Sequence, residues 1–324
     1  FSTIRNNDPL YIIDGIPVDG GINFLNPNDI ESMQVLKDAS SASIYGARAA
    51  NGVVIINTKR GKEGEFNVNL DAYFGVQKAA KQLRMLNAQQ FGDMLWQAMK
   101  NDGKTPSHDV YGNGDQAVVP EYLDSNHLIP SDDVDWVDEI LRAAVVQSYN
   151  LSFTKADKKS NQLFSLGYYD QQGLVKFSDF KRVSGRFNSE YKLFDDHLRI
   201  GENISLSQSI TPVKNLEDEY AGNVFSDIPN PMGKLYRNKD NQDKKSRLVG
   251  NLYAELHLFD GLMFKTSFGV DYNNLYRRSF RPKYDELNAS EKLSSSSNRN
   301  AWNFNWVFTN TLTYNKSFGD HTIN

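Results

Sequence analysis

From residue 66 onward, apolar and polar residues alternate over runs so long that few architectures can use them. Phe66, Val68, Leu70, Ala72, Phe74 and Val76 fall on one side of a strand, and Asn67, Asn69, Asp71, Tyr73, Gly75 and Gln77 on the other. That two-residue period belongs to a chain with one apolar and one wet face. Alternation returns at residues 149–153, 164–168, 183–193, 198–206, 252–258, 262–270 and 302–312. Several runs exceed the common strand length of about 5–6 residues and reach the roughly 9–11 that a tilted membrane strand requires.

The connections alternate as well. Residues 155–161, 195–197 and 260–261 make tight turns, whereas 78–146, 170–181, 209–247 and 273–301 are long. Short turns on one rim and long loops on the other characterise an outer-membrane barrel. Tyr73, Tyr149, Tyr169, Tyr191, Phe194, Phe259 and Tyr314 sit near strand ends, where amphipathic rings suit the lipid headgroups. A soluble all-β sandwich shares the period of two but does not explain the alternating connection lengths. Residues 317–321 read as another tight turn into a further strand, so the pattern describes part of a barrel rather than a closed one of eight strands, whose lumen would be filled by side chains. The chain opens at Phe1 with neither an initiator Met nor a signal segment, and is expected to be an internal piece of a longer protein.

Charge narrows the partners. Thirty-six Lys and Arg stand against 40 Asp and Glu, a net −4, which supplies no basic field for nucleic acid. Cysteine is absent, which removes disulfides, thiolate metal sites and a cysteine nucleophile, and suits passage through an oxidising periplasm.

The first sixty residues follow another pattern. Residues 10–14 form an apolar run closed by Asp14-Gly15, a strand entering a turn. Asn28 and Glu31 have capping-box spacing, and Ile30, Met33 and Leu36 recur at helical spacing, which predicts a helix from residue 29 that ends or turns at Lys37-Asp38. Gly46 and Asn51-Gly52 punctuate the next stretch, and residues 53–56 suit a strand buried on both faces. A small α/β unit therefore precedes the barrel.

Residues 9–17 (PLYIIDGIP), 28–48 (NDIESMQVLKDASSASIYGAR) and 50–59 (ANGVVIINTK) closely resemble the plug of TonB-dependent receptors, more narrowly the SusC/RagA family, and the likeness continues at 134–136 (VDW) and 167–173 (GYYDQQG). The resemblance implies a mainly β fold. Residues 1–61 would be the C-terminal part of a plug, and residues 62–324 the first eight or so strands of a barrel of about 22 strands that encloses it. It marks Asp14, Gly15, Lys37, Asp38, Tyr45, Gly46, Arg48, Asn51 and Gly52 as a structural plug signature. It further implies an outer-membrane location with extracellular loops and periplasmic turns, a SusD-like surface lipoprotein as lid, TonB contact through a segment upstream of this one, and import of a glycan, or failing that a peptide. A surface-binding or adhesion barrel, and a siderophore or cobalamin receptor, are the alternatives.

No catalytic or metal constellation emerges, and no cofactor is expected. His108, His127, His197, His257 and His321 lack the spacing of a helical metal site. Asp132, Asp133, Asp135, Asp138 and Glu139 read as the start of a short helix, which favours acidic side chains in its first turn. Residues 87–100, with Phe91, Leu95, Ala98 and Met99 at helical spacing, predict a helix in the first long loop. Arg48 is expected to pair with carboxylates of the barrel wall, because a buried charge needs a partner. No residue can be assigned to substrate.

Overall fold

The computed structural model describes residues 9–36, 43–61, 64, 66–80, 84–122, 126–127, 130–131, 135–213, 240–286, 289–318 and 321–323. Lys37 and Asp38 of the plug signature lie outside them.

The N-terminal unit is a four-stranded sheet of β1 (Leu10–Ile13), β2 (Ile16–Val18), β3 (Ile30–Leu36) and β4 (Val53–Thr58), in the order β2-β1-β4-β3. β1 runs parallel to β4, while the two outer pairs are antiparallel. Asp14 and Gly15 join β1 to β2 with φ of 48° and 86°. Two consecutive left-handed residues match the right-handed twist of a hairpin, and Asp-Gly is a sequence that tolerates them. Val53 and Ile56 of the central β4 are fully buried.

The helix expected from residue 29 is a strand. Asn26, not Asn28, caps a single 3-10 turn, Pro27–Asp29, by accepting from the Asn28 amide, and the chain then extends as β3. Met33 and Val35 remain exposed on β3. Pairing of residues 30–36 with the apolar β4 outweighs a three-residue periodicity that a short segment can show by chance. The helix signal was local, and the ladder partner lies some twenty residues away.

Eight antiparallel strands form the second sheet: β5 (Phe66–Gln77), β6 (Ala144–Ala156), β7 (Ser160–Gln171), β8 (Phe180–Leu193), β9 (Leu198–Pro212), β10 (Gln242–Phe259), β11 (Leu262–Arg281) and β14 (Ser295–Tyr314). Each pairs with its neighbour in the order of the chain, apart from the small hairpin β12 (Tyr284–Glu286) and β13 (Ala289–Glu291) between β11 and β14. Each of the eight alternating runs lies in one of these strands. Burial is inverted relative to a water-soluble sheet. Phe164, Leu166, Val183, Phe187, Leu252, Trp306 and Phe308 are exposed, while Ser165, Arg186, Asn188, Asn203 and Asn251 are buried. Such a surface needs an apolar solvent outside and a polar filling inside.

Strands β11 and β14 have 20 residues each. At about 3.3 Å per residue and roughly 40° of tilt they rise about 50 Å, beyond the ~30 Å of hydrocarbon. Their polar ends therefore continue as sheet where alternation alone suggested loop, and the long connections shrink to 78–143, 172–179, 213–241 and 282–294. Residues 317–321 do turn back, but as a separate hairpin, β15 (Lys316–Phe318) with β16 (His321–Ile323), which does not join the large sheet.

Within the first long connection a helix covers Ala88–Asn101, closed at its start by a capping box between Asn87 and Gln90. Its buried face is Gly92 and Trp96 rather than Phe91, which is exposed. Trp96 donates Nε1 to the Gly114 carbonyl at 2.9 Å and meets Tyr111 edge-on. A second short helix, Trp136–Ile140, starts at Asp135, whose side chain accepts from the amides of Val137 and Asp138. No metal-binding group of acidic or histidine side chains occurs among the described residues.

Candidate functional site

The functional surface is where the small sheet meets the inner face of the large one. An apolar contact joins them: Val249 of β10 packs into the cluster of Ile13, Ile16, Val18, Leu25, Val54 and Ile56, and Val307 of β14 packs against it. Gly269 of β11 leaves room for Ile16, whose Cγ1 lies 3.2 Å from where a Cβ would stand. Polar bridges carry the remainder of the interface, because the inner wall offers polar side chains at alternate positions.

The deepest bridge starts at the β1–β2 turn. The Asp14 carboxylate accepts from Arg186 Nη2 of β8 at 2.5 Å, and the two side chains are 6% and 2% exposed. Thr58 at the end of β4 donates its amide (3.0 Å) and hydroxyl (2.8 Å) to the same carboxylate, and itself accepts from Arg186. Arg186 also donates to Ser205 at 2.7 Å. Asn251 donates to the Asp14 carbonyl at 3.1 Å and Asn188 to the Lys59 carbonyl at 3.0 Å. A buried ion pair is tolerable only with such supporting hydrogen bonds, although among the described residues the buried Arg186 Nε has no partner.

A second bridge serves the 3-10 turn. Ser165 of β7 donates to Asp29 at 2.7 Å, and Asn26 donates to Asn150 of β6 at 2.8 Å. Burial raises the Asp29 carboxyl above its ordinary value, against the opposing effects of the Ser165 hydrogen bond and of Arg186, Lys59 and Arg182. Gly167 of β7 is required here, since a Cβ would lie 2.6 Å from both the Asn26 amide and the Ser184 hydroxyl.

Two further bridges fix the rims. Arg60 contacts Glu190 at 3.1 Å, and Gly61 exchanges hydrogen bonds with the Asn161 side chain, which fastens the chain leaving the small sheet to the short-turn end of the wall. Nearer the long-connection end, Arg247 grips Asp271 through two hydrogen bonds and donates to the Asp19 carbonyl at 2.6 Å, while Asn305 donates to the Asp19 carboxylate at 3.0 Å. Arg48 bonds this same Asp19 at 2.5 Å, with both side chains more than half exposed. The expected wall carboxylate is therefore replaced by one on the small unit itself, because Asp271, the acid of the adjoining wall, is already occupied by Arg247.

Of the sequence-marked residues, Asp14 lies at the centre of the interface and Gly15 shapes the turn that presents it. Tyr45 packs against the cluster of Leu10, Ile12, Ala49 and Val53, and Gly46 turns the chain at φ 63°. Gly52, at φ 92°, supplies the carbonyl that accepts from the Leu10 amide. Asn51 lies beside it in the turn before β4. Arg186, Asn188, Ser165 and Arg247 had no assigned role in the sequence. The available signal was an arginine at an inward position of a membrane strand, which requires an acidic partner.

On the long-connection side, a cleft of about 500 Å³ lies between residues 22–30 and β6, β7 and β8, lined by Asn23, Asn28, Ser148, Tyr169, Gln171 and Arg182 among others. Tyr169, expected at the lipid interface, instead faces this cleft, its ring 5.7 Å from the Arg182 guanidinium.

Comparison with known proteins places this arrangement. Residues 1–53 match the TonB-dependent Receptor Plug Domain family. The chain is 31% identical over 247 residues to TonB-dependent receptor SusC of Bacteroides thetaiotaomicron, covering 72% of this chain and 22% of that protein. It is 28% identical to TonB-dependent receptor P39 of Formosa agariphila, over 98% of this chain and 31% of the other. The solved RagAB peptide transporter superposes with a TM-score of 0.76 at 26% identity, covering 97% of this chain and 40% of that one. The chain thus spans between about a fifth and a third of the length of the curated relatives it matches. A plug-like sheet held by polar bridges against an antiparallel wall with an apolar outer face, together with these likenesses, shows that the chain belongs to the TonB-dependent receptors of the SusC/RagA type.

Proposed function

We propose that this chain is the plug-to-barrel portion of an importer that carries a bulky nutrient across the outer membrane with energy delivered by TonB. The observation that carries the reading is the Asp14–Arg186–Thr58 bridge, which seats a compact unit against a wall whose outer face is apolar. An occluding unit held mostly by polar contacts can be displaced at modest cost once water enters, whereas a hydrophobic core could not. Residues 1–61 act as plug and residues 62–324 as barrel, with the short turns in the periplasm and the long connections outside. A SusD-like lipoprotein closes over the long connections, and TonB pulls on a segment preceding this one. The cargo is an oligosaccharide, by likeness to the SusC family, or a peptide, as the name of the RagAB transporter suggests for a relative. No bond is made or broken, so the protein is not an enzyme.

The test is uptake by the native host. Cells with the intact gene should accumulate labelled oligosaccharide or peptide, and lose this on deletion of the gene or of TonB. Surface binding that persists with no TonB-dependent accumulation would overturn import and favour an adhesion barrel.

A further inference from the structure

Beside the hydrogen bonds that tie residues 23–29 to β6, β7 and β8, a cleft remains between this segment and the wall, and its lining carries one arginine and no carboxylate. Arg182 of β8 lines it half-buried. Its Nη1 donates to the carbonyls of Asn23 at 2.6 Å and Leu25 at 2.9 Å, while Nη2 and Nε make no hydrogen bond. Arg60, Arg186 and Arg247 of the same interface each hold a carboxylate. Among the described residues Arg182 forms no ion pair. Asp29, whose charge acts on Arg182 without a direct contact, has its carboxyl held by Ser165 and is not part of the lining.

The rest of the lining supplies neutral donors and an apolar side. Tyr169 donates its hydroxyl to Gln171 Oε1 at 2.8 Å, which leaves the Gln171 amide nitrogen to donate into the cleft. The Asn23 and Asn28 side chains line it too, and Phe180 lies beside Tyr169 with ring centroids 5.9 Å apart. A guanidinium with unused donors in a protein-walled hollow, in ion pair with no carboxylate of the described residues, suits an anion of planar shape. The volume lies within the range of ligand sites.

We propose that this cleft is a subsite for a carboxylate of the cargo, gripped by Arg182 and flanked by the amides of Asn23, Asn28 and Gln171. This rests on the importer reading and narrows its cargo to carboxylate-bearing oligomers. Uronic-acid oligosaccharides and peptide C-termini share that chemistry.

The intact receptor, purified from outer membranes in detergent, is titrated calorimetrically with tetragalacturonate and its methyl ester, and with tetra-alanine and its C-terminal amide. At least one acid should bind ten-fold or more tightly than its neutral counterpart, and the pair that shows the difference identifies the source. Arg182→Gln should abolish that difference, and Arg182→Lys should keep part of it. Equal binding of acid and neutral forms to the wild type, no binding of either acid, or an undiminished difference in a folded Arg182→Gln receptor would overturn the proposal. The titration needs no TonB, so it can succeed or fail independently of the uptake assay.

Discussion

Asp14 and Arg186 lie 172 residues apart in the chain and 2.5 Å apart in space, and both are almost completely removed from solvent. Asp14 is the turn residue of the plug hairpin and Arg186 an inward position of the wall, so one contact joins the fold of each unit to their docking. Asp14→Asn leaves the guanidinium buried without its carboxylate, which costs about 3–5 kcal/mol. The expected outcome is a plug that opens more readily, seen as increased sensitivity of cells to vancomycin. Combining Asp14→Asn with Arg186→Met removes both charges and should recover much of the loss. Unchanged sensitivity in the single variant would show that other contacts hold the plug.

Gly167 makes a second, purely steric prediction. A methyl group there enters the space of the Asn26 amide and the Ser184 hydroxyl, so Gly167→Ala should lower stability by about 1–3 kcal/mol. Asn26→Ala in the same chain should offset part of that loss, despite forfeiting the hydrogen bond to Asn150. Urea denaturation of the single and double variants measures the coupling, and additive losses would contradict it.

Asp29 gives a pH dependence with a defined sign. Its folded pKa is raised by burial, so the folded state binds the proton more tightly than the unfolded one. Stability should fall as pH rises from the ordinary value of 3.8 through the raised folded value, and then level off. Asp29→Asn keeps an acceptor for Ser165 and removes the buried charge. It should therefore raise the melting temperature at pH 7, by a margin that shrinks as the pH approaches 4. A margin independent of pH would refute the assignment.

Glu202 of β9 stands on the outward face, paired with Ser189 on one side and Leu252 on the other, and accepts from the Ser189 hydroxyl. A carboxylate on the lipid side of a strand is unfavourable in proportion to its depth. Glu202→Gln retains the acceptor without the charge and should stabilise the barrel by about 1 kcal/mol in lipid vesicles. Destabilisation would show that the charge itself has a partner on that face.

The wall was legible in the sequence because membrane strands repeat one rule at every second position. Phe164, Leu166 and Tyr168 against Ser165 and Gly167 need no distant information to be assigned to two faces. The Asp14-Gly15 turn and the Asn87 capping box were readable for the same reason, since their hydrogen bonds and dihedral angles are local. The segment 29–36 was misread because its apolar spacing permits a helix, and only the β4 ladder, set by the buried Val53 and Ile56, makes it a strand.

The sequence by itself thus determined which residues of the alternating runs share the apolar outer face, where the tight turns fall, and that a small unit precedes a barrel. Only the tertiary structure decided which polar residues meet. Arg182 and Arg186 of β8 and Arg247 of β10 are all inward arginines that touch the plug, yet Arg186 pairs with a plug carboxylate, Arg182 meets only plug carbonyls beside a cleft, and Arg247 pairs with the acid of a neighbouring strand. Strand register and the docking of the plug decide between these fates, because the energy of a buried charge depends on groups brought within a few ångströms from more than a hundred residues away.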